Sequence, residues 1–274
     1  MEINILLENN RIDTQYKTKH GLSILINFKD KNILLDVGPD RKFIENAGKM
    51  NLDLTKTEIL FLSHAHNDHT GGLNDFFKIN SNAVVYLMDK INSKYYVKHK
   101  LFNTPIGLKI NKKNNTKITQ LSDDLIIDNS IYFLKNTVKN YQKPASNNTL
   151  LKKYNRQIIP DTFDHEGILV FEENGELLIF DSCSHNGLLN IIETVEAKIP
   201  NKKIRSYVGG LHLSNPKTEQ HESDEYLDML ASKFIQKGIT LYTGHCTGRY
   251  SINYMKKKLN GKIQEINTGM KLNV

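Results

Sequence analysis

The sequence predicts an α/β fold. Three observations carry that expectation. Short apolar segments of strand composition crowd the first third of the chain, strand and helix alternate through the last third, and residues able to bind metal or move protons recur where strands end. Strand ends at a sheet edge are where α/β folds place their sites.

The elements follow in chain order. "INILLE" (Ile3–Glu8), "LSILINF" (Leu22–Phe28) and "KNILLDVG" (Lys31–Gly38) are short and rich in Ile, Leu and Val, and Lys29-Asp30-Lys31-Asn32 marks a hairpin between the last two. Residues 40–50 read as a helix with Phe43, Ile44 and Ala47 on one face. "EILFLSH" (Glu58–His64) is an apolar strand, "LNDFFKI" a short helix and "AVVYLM" (Ala83–Met88) a further strand. From Asp89 to about Pro160 no clean period appears, and so long a weakly patterned stretch reads as a lid or insertion. Order returns with "GILVFEENGELLIF" (Gly167–Phe180), a hairpin about Asn174-Gly175. "DSCSHNGLLNIIETVEAKI", "IRSYVGGLHL", "DEYLDMLASKFIQKG", "ITLYTGHCTG", "RYSINYMKKKLN" and "KIQEINTG" then alternate strand ends with helices.

Composition narrows the class. A 274-residue chain with 39% hydrophobic residues suits one large globular domain or two small ones. The net charge is +7, with the lysines spread over nearly every loop. That reads as a solvated basic surface, which ranks above a nucleic-acid groove and would favour an anionic substrate. The N-terminal "MEINILLENNRIDTQ" has no signal pattern, and no apolar run approaches the ~18 residues of a membrane span. Two cysteines, Cys183 and Cys246, make no disulfide framework and suit a reducing cytoplasm. The oligomeric state is not legible.

"LSHAHNDHTGGL" (Leu62–Leu73) sets His64, His66, Asp68 and His69 within six residues, ahead of Gly71 and Gly72. After a strand, residues two apart point the same way, so His64, His66 and Asp68 can converge while His69 reaches a neighbouring point. Imidazoles and a carboxylate suit zinc, with manganese or iron as alternatives. Asp68 and His69 are adjacent and do not easily join the first two histidines about one small ion, so two divalent ions are expected. The glycines are expected to let the backbone turn sharply there.

These residues resemble a known family. "HAHNDH" fits the His-x-His-x-Asp-His motif of the metallo-β-lactamase superfamily, and "LLDVGP" (Leu34–Pro39) is similar to its strand-ending Asp-x-Gly motif. "HGLSILI", "PDTFDHEGILV", "DSCSHNGLLNI", "VGGLHL" and "YTGHCTG" resemble its branch of dihydropterin-methyl ribofuranosyl-aminobenzene phosphate synthase-like proteins, from His20 to Gly248. The resemblance implies an αββα sandwich of two mixed β-sheets flanked by helices, a single domain over 1–274 with a lid or insertion at about 89–160.

The resemblance also implies later ligands. His185 is expected to bind metal, and His245 to bind the second ion, with His212 its competitor. The member of that pair left over is expected to meet substrate or support a ligand. Cys183 reads either as a small buried residue or as a soft ligand, Asp181 being nearby. Asp36 is expected to accept a hydrogen bond from a ligand histidine. Asp161, Asp164, His165 and Glu166 read either as a pocket element or as an exposed charged loop, and His99 and His221 as surface residues. His20 is expected to set a turn or to approach the pocket.

The expected function is that of a cytoplasmic metal-dependent hydrolase in which a metal-bridging hydroxide attacks a small phosphorylated ester or phosphodiester and Asp68 orients it or shuttles a proton. Tyr95, Tyr96 and His212 are the expected substrate contacts. The alternatives are a pterin and ribose-phosphate transferase-like synthase, a lactone or thioester hydrolase, and a non-catalytic metal or redox sensory protein.

Overall fold

Alternating apolar residues such as Ile24, Ile26 and Phe28 build strands because β-branched and aromatic side chains fit a pleated, buried surface. The computed structural model describes residues 1–88, 93–215 and 220–274. These fall into two compact units: residues 1–122, 149–165 and 267–274 form the first, and 123–148 and 166–266 the second.

The first unit is built on a seven-stranded mixed sheet. Its order is Lys271–Asn273, Glu2–Leu7, Ser23–Phe28, Lys31–Leu35, Ile59–Leu62, Val84–Leu87 and Ile118–Gln120. The pairings up to Lys31–Leu35 are antiparallel and the later ones parallel. Helices Lys42–Lys49 and Leu73–Ile79 bury Phe43, Ala47, Leu73 and Phe76 with Leu34, Leu60, Leu62, Val85 and Leu87 in one apolar cluster. Asn46, an apparent breach of that apolar face, is fully buried. Its side-chain amide donates to the carbonyls of Leu6 and Lys17, and its Oδ1 accepts from Lys17 N.

The second unit repeats the pattern. Its seven-stranded sheet runs Ile263–Glu265, Thr240–Thr243, Lys203–Val208, Glu176–Phe180, Gly167–Glu173, Ile131–Lys135 and Leu125–Ile127. Here the first four strands are mutually parallel and the rest antiparallel. Helices Leu188–Lys198, Asp224–Lys237 and Arg249–Lys258 pack Ile191, Val195, Leu230, Phe234 and Met255 with Ile179, Tyr207 and Leu241. Ser223 caps the helix Asp224–Lys237 by accepting from Tyr226 N, and Gly238 closes it in the left-handed conformation. Asn174 and Gly175 both have positive φ, as the two-residue turn of the expected hairpin requires.

The stretch expected as a lid or insertion contains strands. Its first residues, 89–92, lie outside the described residues. Of the rest, Ile118–Gln120 extends the first sheet, and Leu125–Ile127 and Ile131–Lys135 extend the second. Tyr95–Lys98, Asn103–Pro105, Leu150–Tyr154 and Gln157–Pro160 form a separate antiparallel sheet in the first unit. Its strands are only three to five residues long, too short for alternation to show a period. A last strand, Lys271–Asn273, lies beyond the expected end of the pattern. Among the described residues no helix is long and apolar enough to cross a membrane.

Gly71 and Gly72 form the turn that leads into the helix Leu73–Ile79. Both have ordinary right-handed φ, −63° and −76°, so neither makes a turn closed to other residues. Close approach is the constraint. A Cβ on Gly71 would stand 2.3 Å from Pro39 O and 2.6 Å from Asn67 O, and one on Gly72 would stand 2.4 Å from Val37 O. Gly71→Ala is therefore expected to lower stability by about 1–3 kcal/mol, the usual cost of overpacking, in urea unfolding followed by circular dichroism. A wild-type midpoint would show that the loops part at no cost.

Candidate metal centre

Strand register assembles the first unit's cluster. Lys31–Leu35 and Ile59–Leu62 are parallel, with Leu35 opposite Phe61, so Asp36 and Ser63 leave the sheet at the same edge. Asp36 has φ +58° and is fully buried. Its Oδ1 accepts from Ser63 N at 2.8 Å, and its Oδ2 accepts from Ser63 Oγ at 2.6 Å and from His69 Nδ1 at 2.8 Å. Ser63 Oγ has one hydrogen, given to Asp36, so at 2.8 Å it accepts from His64 Nδ1. Both rings therefore carry a proton on Nδ1, and in their neutral form present the lone pair on Nε2. One carboxylate sets two tautomers.

The rings of His64 and His69 lie 4.2 Å apart, and those of His64 and His66 4.7 Å apart. Burial holds the His66 imidazolium pKa below its ordinary value, with Asp161 opposing, so the ring favours its neutral, ligating form. Asp68 is the more open member. Its Oδ2 lies 3.4 Å from His20 Nε2 and 3.5 Å from His69 Nε2. His20 thus meets the cluster.

Asp161, His165 and Glu166 are buried, and only Asp164 of that group is exposed. The exposed-loop reading of the group is corrected: three polar side chains fold inward because each has partners. His165 Nδ1 accepts from Ala65 N at 3.1 Å, so its Nε2 carries the proton and donates to Asp161 Oδ2 at 3.1 Å. With both nitrogens so used, His165 is a buttress of the motif loop. The Tyr95 ring packs 4.2 Å from His165 and 5.9 Å from His66. Tyr96, next along the strand, projects to the other face by pleat alternation and so parts from Tyr95. The small sheet is tied to the motif, since Asn67 N donates to Ile106 O at 2.7 Å.

The second unit gathers its candidates by the same device. Glu176–Phe180, Lys203–Val208 and Thr240–Thr243 are parallel neighbours, so the loops holding Asp181–His185, Gly209–His212 and His245 leave one sheet edge. Asp181 Oδ1 accepts from Ser184 N at 2.8 Å and Cys183 N at 3.3 Å. Glu166 accepts from His185 N at 2.6 Å and from Asn186 N at 2.7 Å. Asn147 clasps His185: its Nδ2 donates to His185 O at 2.8 Å, and its Oδ1 accepts from His185 Nδ1 at 2.9 Å. His185 too is left with an unprotonated Nε2. The His212 ring lies 4.2 Å from that of His185. His245 is buried in the turn His245–Thr247, where Thr247 Oγ1 accepts from Leu211 N at 3.0 Å. Ser184, His212 and His245 all have left-handed φ between +50° and +54°. Such backbone costs a non-glycine residue of order 1 kcal/mol, and its clustering here marks loops shaped for something other than stability.

Each unit holds donors whose ligating atoms lie within 4.8 Å of one another: Asp36, His64 and His69 in the first, and Cys183, His212 and Cys246 in the second. Buried neutral imidazoles with fixed tautomers, backed by carboxylate and amide partners, fit a divalent transition ion. Ser63 and Asn147 were not legible as participants, because neither belongs to a recognisable spacing. Glu166 and His165 had a signal in their adjacency within "DHEG". The His99 ring lies 4.8 Å from that of Phe102, and His221 stacks on Tyr250.

Known proteins resemble this chain in sequence and in fold. A sequence model described as the metallo-beta-lactamase superfamily matches residues 17–136. The 7,8-dihydropterin-6-methyl-4-(beta-D-ribofuranosyl)-aminobenzene-5'-phosphate synthase of Methanocaldococcus jannaschii is 24% identical, over 94% of this chain and 90% of its own. An uncharacterized protein of the same organism is 25% identical, covering 90% of each chain. The crystal structure of a metal-dependent hydrolase of the beta-lactamase superfamily superposes with a TM-score of 0.83 at 26% identity, covering 100% of this chain and 99% of that one.

Asp161 gives this arrangement a pH signature. Burial alone raises its carboxyl pKa, but the bond from His165 and the nearness of His66 outweigh it and hold the group well below the usual carboxylate range. A folded pKa below the unfolded value of about 4 adds stability at neutral pH. That stability is lost as pH falls below about 4, where the unfolded chain takes up the proton first. Asp161→Asn is expected to be less stable than wild type at pH 7 and to lose less on acidification, in urea unfolding at several pH values. Parallel profiles for the two proteins would show that Asp161 titrates alike in both states.

Proposed function

We infer that this chain, which has the metallo-β-lactamase fold, is a metal-dependent hydrolase of small phosphorylated esters or phosphodiesters. The observation that carries the reading is the Asp36 relay, which leaves His64 and His69 with Nε2 as the ligating nitrogen. In this reading the chain takes two divalent ions, zinc first and manganese or iron as alternatives, with His64, His66, Asp68 and His69 as ligands in the first unit and His185 and His245 as ligands in the second. Bound there, the ions would supply Lewis-acid polarisation of the substrate and a lowered pKa for water.

The chain's own residues do the rest. Asp36, through Ser63, and Asn147 orient imidazoles before any ligand arrives. Asp68 Oδ2, between His20 Nε2 and His69 Nε2, is placed to take and return a proton. Substrate charge is met by a basic cleft of about 540 Å³ in the first unit, where Tyr95 is joined by Lys94, Lys152 and Lys153. Tyr95 also packs on His165, so the cleft shares a wall with the histidine cluster. His212 is assigned to substrate, and Tyr96 is not, since its strand face is the other one. The partner is then a small anionic molecule and the setting a reducing cytoplasm, where two buried thiols persist.

A second reading is supported by the relative matched over 94% of this chain. Its name is that of a synthase whose product carries a ribofuranosyl 5'-phosphate, and such a group would suit the same lysines. Assays of aryl phosphate, phosphodiester and acyl ester turnover with added zinc or manganese test the hydrolase. Inertness toward all three classes in metal-loaded protein would count against it.

The reading makes two further predictions. Protein loaded with zinc or manganese and desalted is expected to hold at least two ions per chain by elemental analysis, whereas a ceiling of one would end the two-ion scheme. Asp68→Asn keeps the size and removes the charge, so kcat/KM should fall by about 10²-fold or more while the unfolding midpoint stays near wild type. Near wild-type turnover in that variant would remove Asp68 from the proton path.

A further inference from the structure

The basic cleft beside Tyr95 sets like charges against one another. Strand Leu150–Tyr154 runs antiparallel to Tyr95–Lys98 with Lys152 opposite Tyr95, and Lys153 N donates to Lys94 O at 2.8 Å. Lys153 and Lys94 therefore stand opposite one another across neighbouring strands, a placement of like charges that destabilises a sheet. Both are exposed and line the cleft, and neither makes an ion pair among the described residues. Lys152 joins them, its ammonium 2.9 Å from Asp164 Oδ2 and bonded to Thr162 Oγ1. The described residues lining the cleft thus carry three lysines and one carboxylate, a balance of +2. A phosphomonoester, with a charge of about −1.5 to −2 near neutral pH, matches that balance, whereas a phosphodiester group carries only one charge.

Distance separates this charge from the reacting groups. No histidine is among the described residues that line the cleft. Tyr95 is the spacer: it lines the cleft, is 4% exposed, and packs its ring 5.9 Å from that of His66 and 4.2 Å from that of His165. An atom packed on the far side of Tyr95 would lie roughly 9 Å from the His66 ring, one van der Waals contact being added to the ring separation. A phosphate on the lysines is then out of reach of the motif histidines and of any ion they hold.

We propose that the lysine cleft holds a phosphomonoester which the reaction leaves intact. The substrate is then two-ended, with a terminal phosphate for recognition and a separate ester for cleavage. The cleaved end rests on the hydrolase reading above, and the phosphate end on the cleft alone. In the reaction one water is consumed. Its oxygen joins the electrophilic centre of the ester, the bond to the alcohol oxygen breaks, and the alcohol leaves with a proton from the water. The acid so formed gives its own proton to solvent, and the phosphate keeps all its bonds. A lysine pair opposed across two strands gains most from such a ligand, because the dianion between them turns mutual repulsion into two charge-assisted bonds.

Two measurements on the zinc-loaded full chain test this. 4-Acetoxyphenyl phosphate carries both ends. Its expected products are acetate and hydroxyphenyl phosphate, with a KM about tenfold or more below that of phenyl acetate. Release of inorganic phosphate ahead of acetate would overturn the proposal. Calorimetric titration with benzylphosphonate at pH 8, which cannot be hydrolysed, reads the cleft without turnover. One molecule per chain is expected, bound about tenfold more weakly by Lys153→Gln and by Lys94→Gln, and near wild-type strength by Lys153→Arg. Both lysines are exposed, so these variants are expected to fold. Binding that both glutamine variants keep at full strength, or no binding at all, would overturn the proposal even where ester turnover is strong. A protein inert toward both esters that binds benzylphosphonate through these lysines would count against the hydrolase and support the phosphate site.

Discussion

The buried carboxylate of Asp36 is the constraint on which the first unit's chemistry rests. It is held by three donors: Ser63 N, Ser63 Oγ and His69 Nδ1. A buried carboxylate without such donors would cost several kcal/mol and would neutralise. The donors that make its burial tolerable are also the groups whose orientation matters. Through Ser63 the carboxylate fixes His64, and directly it fixes His69. The left-handed backbone at Asp36 is the local strain that aims the side chain back across the strand end.

Register makes this possible. Side chains distant in sequence meet because parallel strands end together, as Leu35 and Phe61 do in the first unit. In the second unit, Glu176–Phe180, Lys203–Val208 and Thr240–Thr243 end together. There the loops lock to one another. Ser184 Oγ donates to Gly210 O, and Tyr207 OH, kept protonated by burial that raises its pKa well above the ordinary value, donates to Ser184 Oγ. Thr243 Oγ1 donates to Gly209 O. These bonds carry the strain of three left-handed residues, which no single loop would sustain.

Legibility followed the range of the signal. Strands such as Ser23–Phe28 and the helix Asp224–Lys237 stand out because period and capping are local. The His64–His69 cluster stands out because four ligand types at fixed spacing have a local cause. The strands in the middle of the chain left no mark because those of three residues, such as Asn103–Pro105, hold too few side chains to display alternation. Asn147 was invisible for a different reason. Its partner is His185, thirty-eight positions away, and nothing in "ASNNT" distinguishes it from a surface asparagine. The reason for the glycines was likewise out of reach: Gly71 and Gly72 are required by neighbours that only the fold brings near, and their φ values are ordinary.

Ligating residues are local and their orienters are not. The motif histidines sit within one loop, while the groups that set their protons come from another strand end, as Asp36 does, or from a remote turn, as Asn147 does. The same holds for the buttress at His165, which supports Ala65 from a hundred positions away. A motif transplanted without these partners would keep its donors and lose their tautomers. Each imidazole would then sample both protonation isomers and several rotamers, and binding would have to bear that ordering cost. In this chain folding has already borne it, because the orienting bonds are made within each unit by its own buried groups. That is why the unit interiors carry buried polar residues at all: an apolar core of the same volume would be as stable or more so, and would leave the rings unaimed.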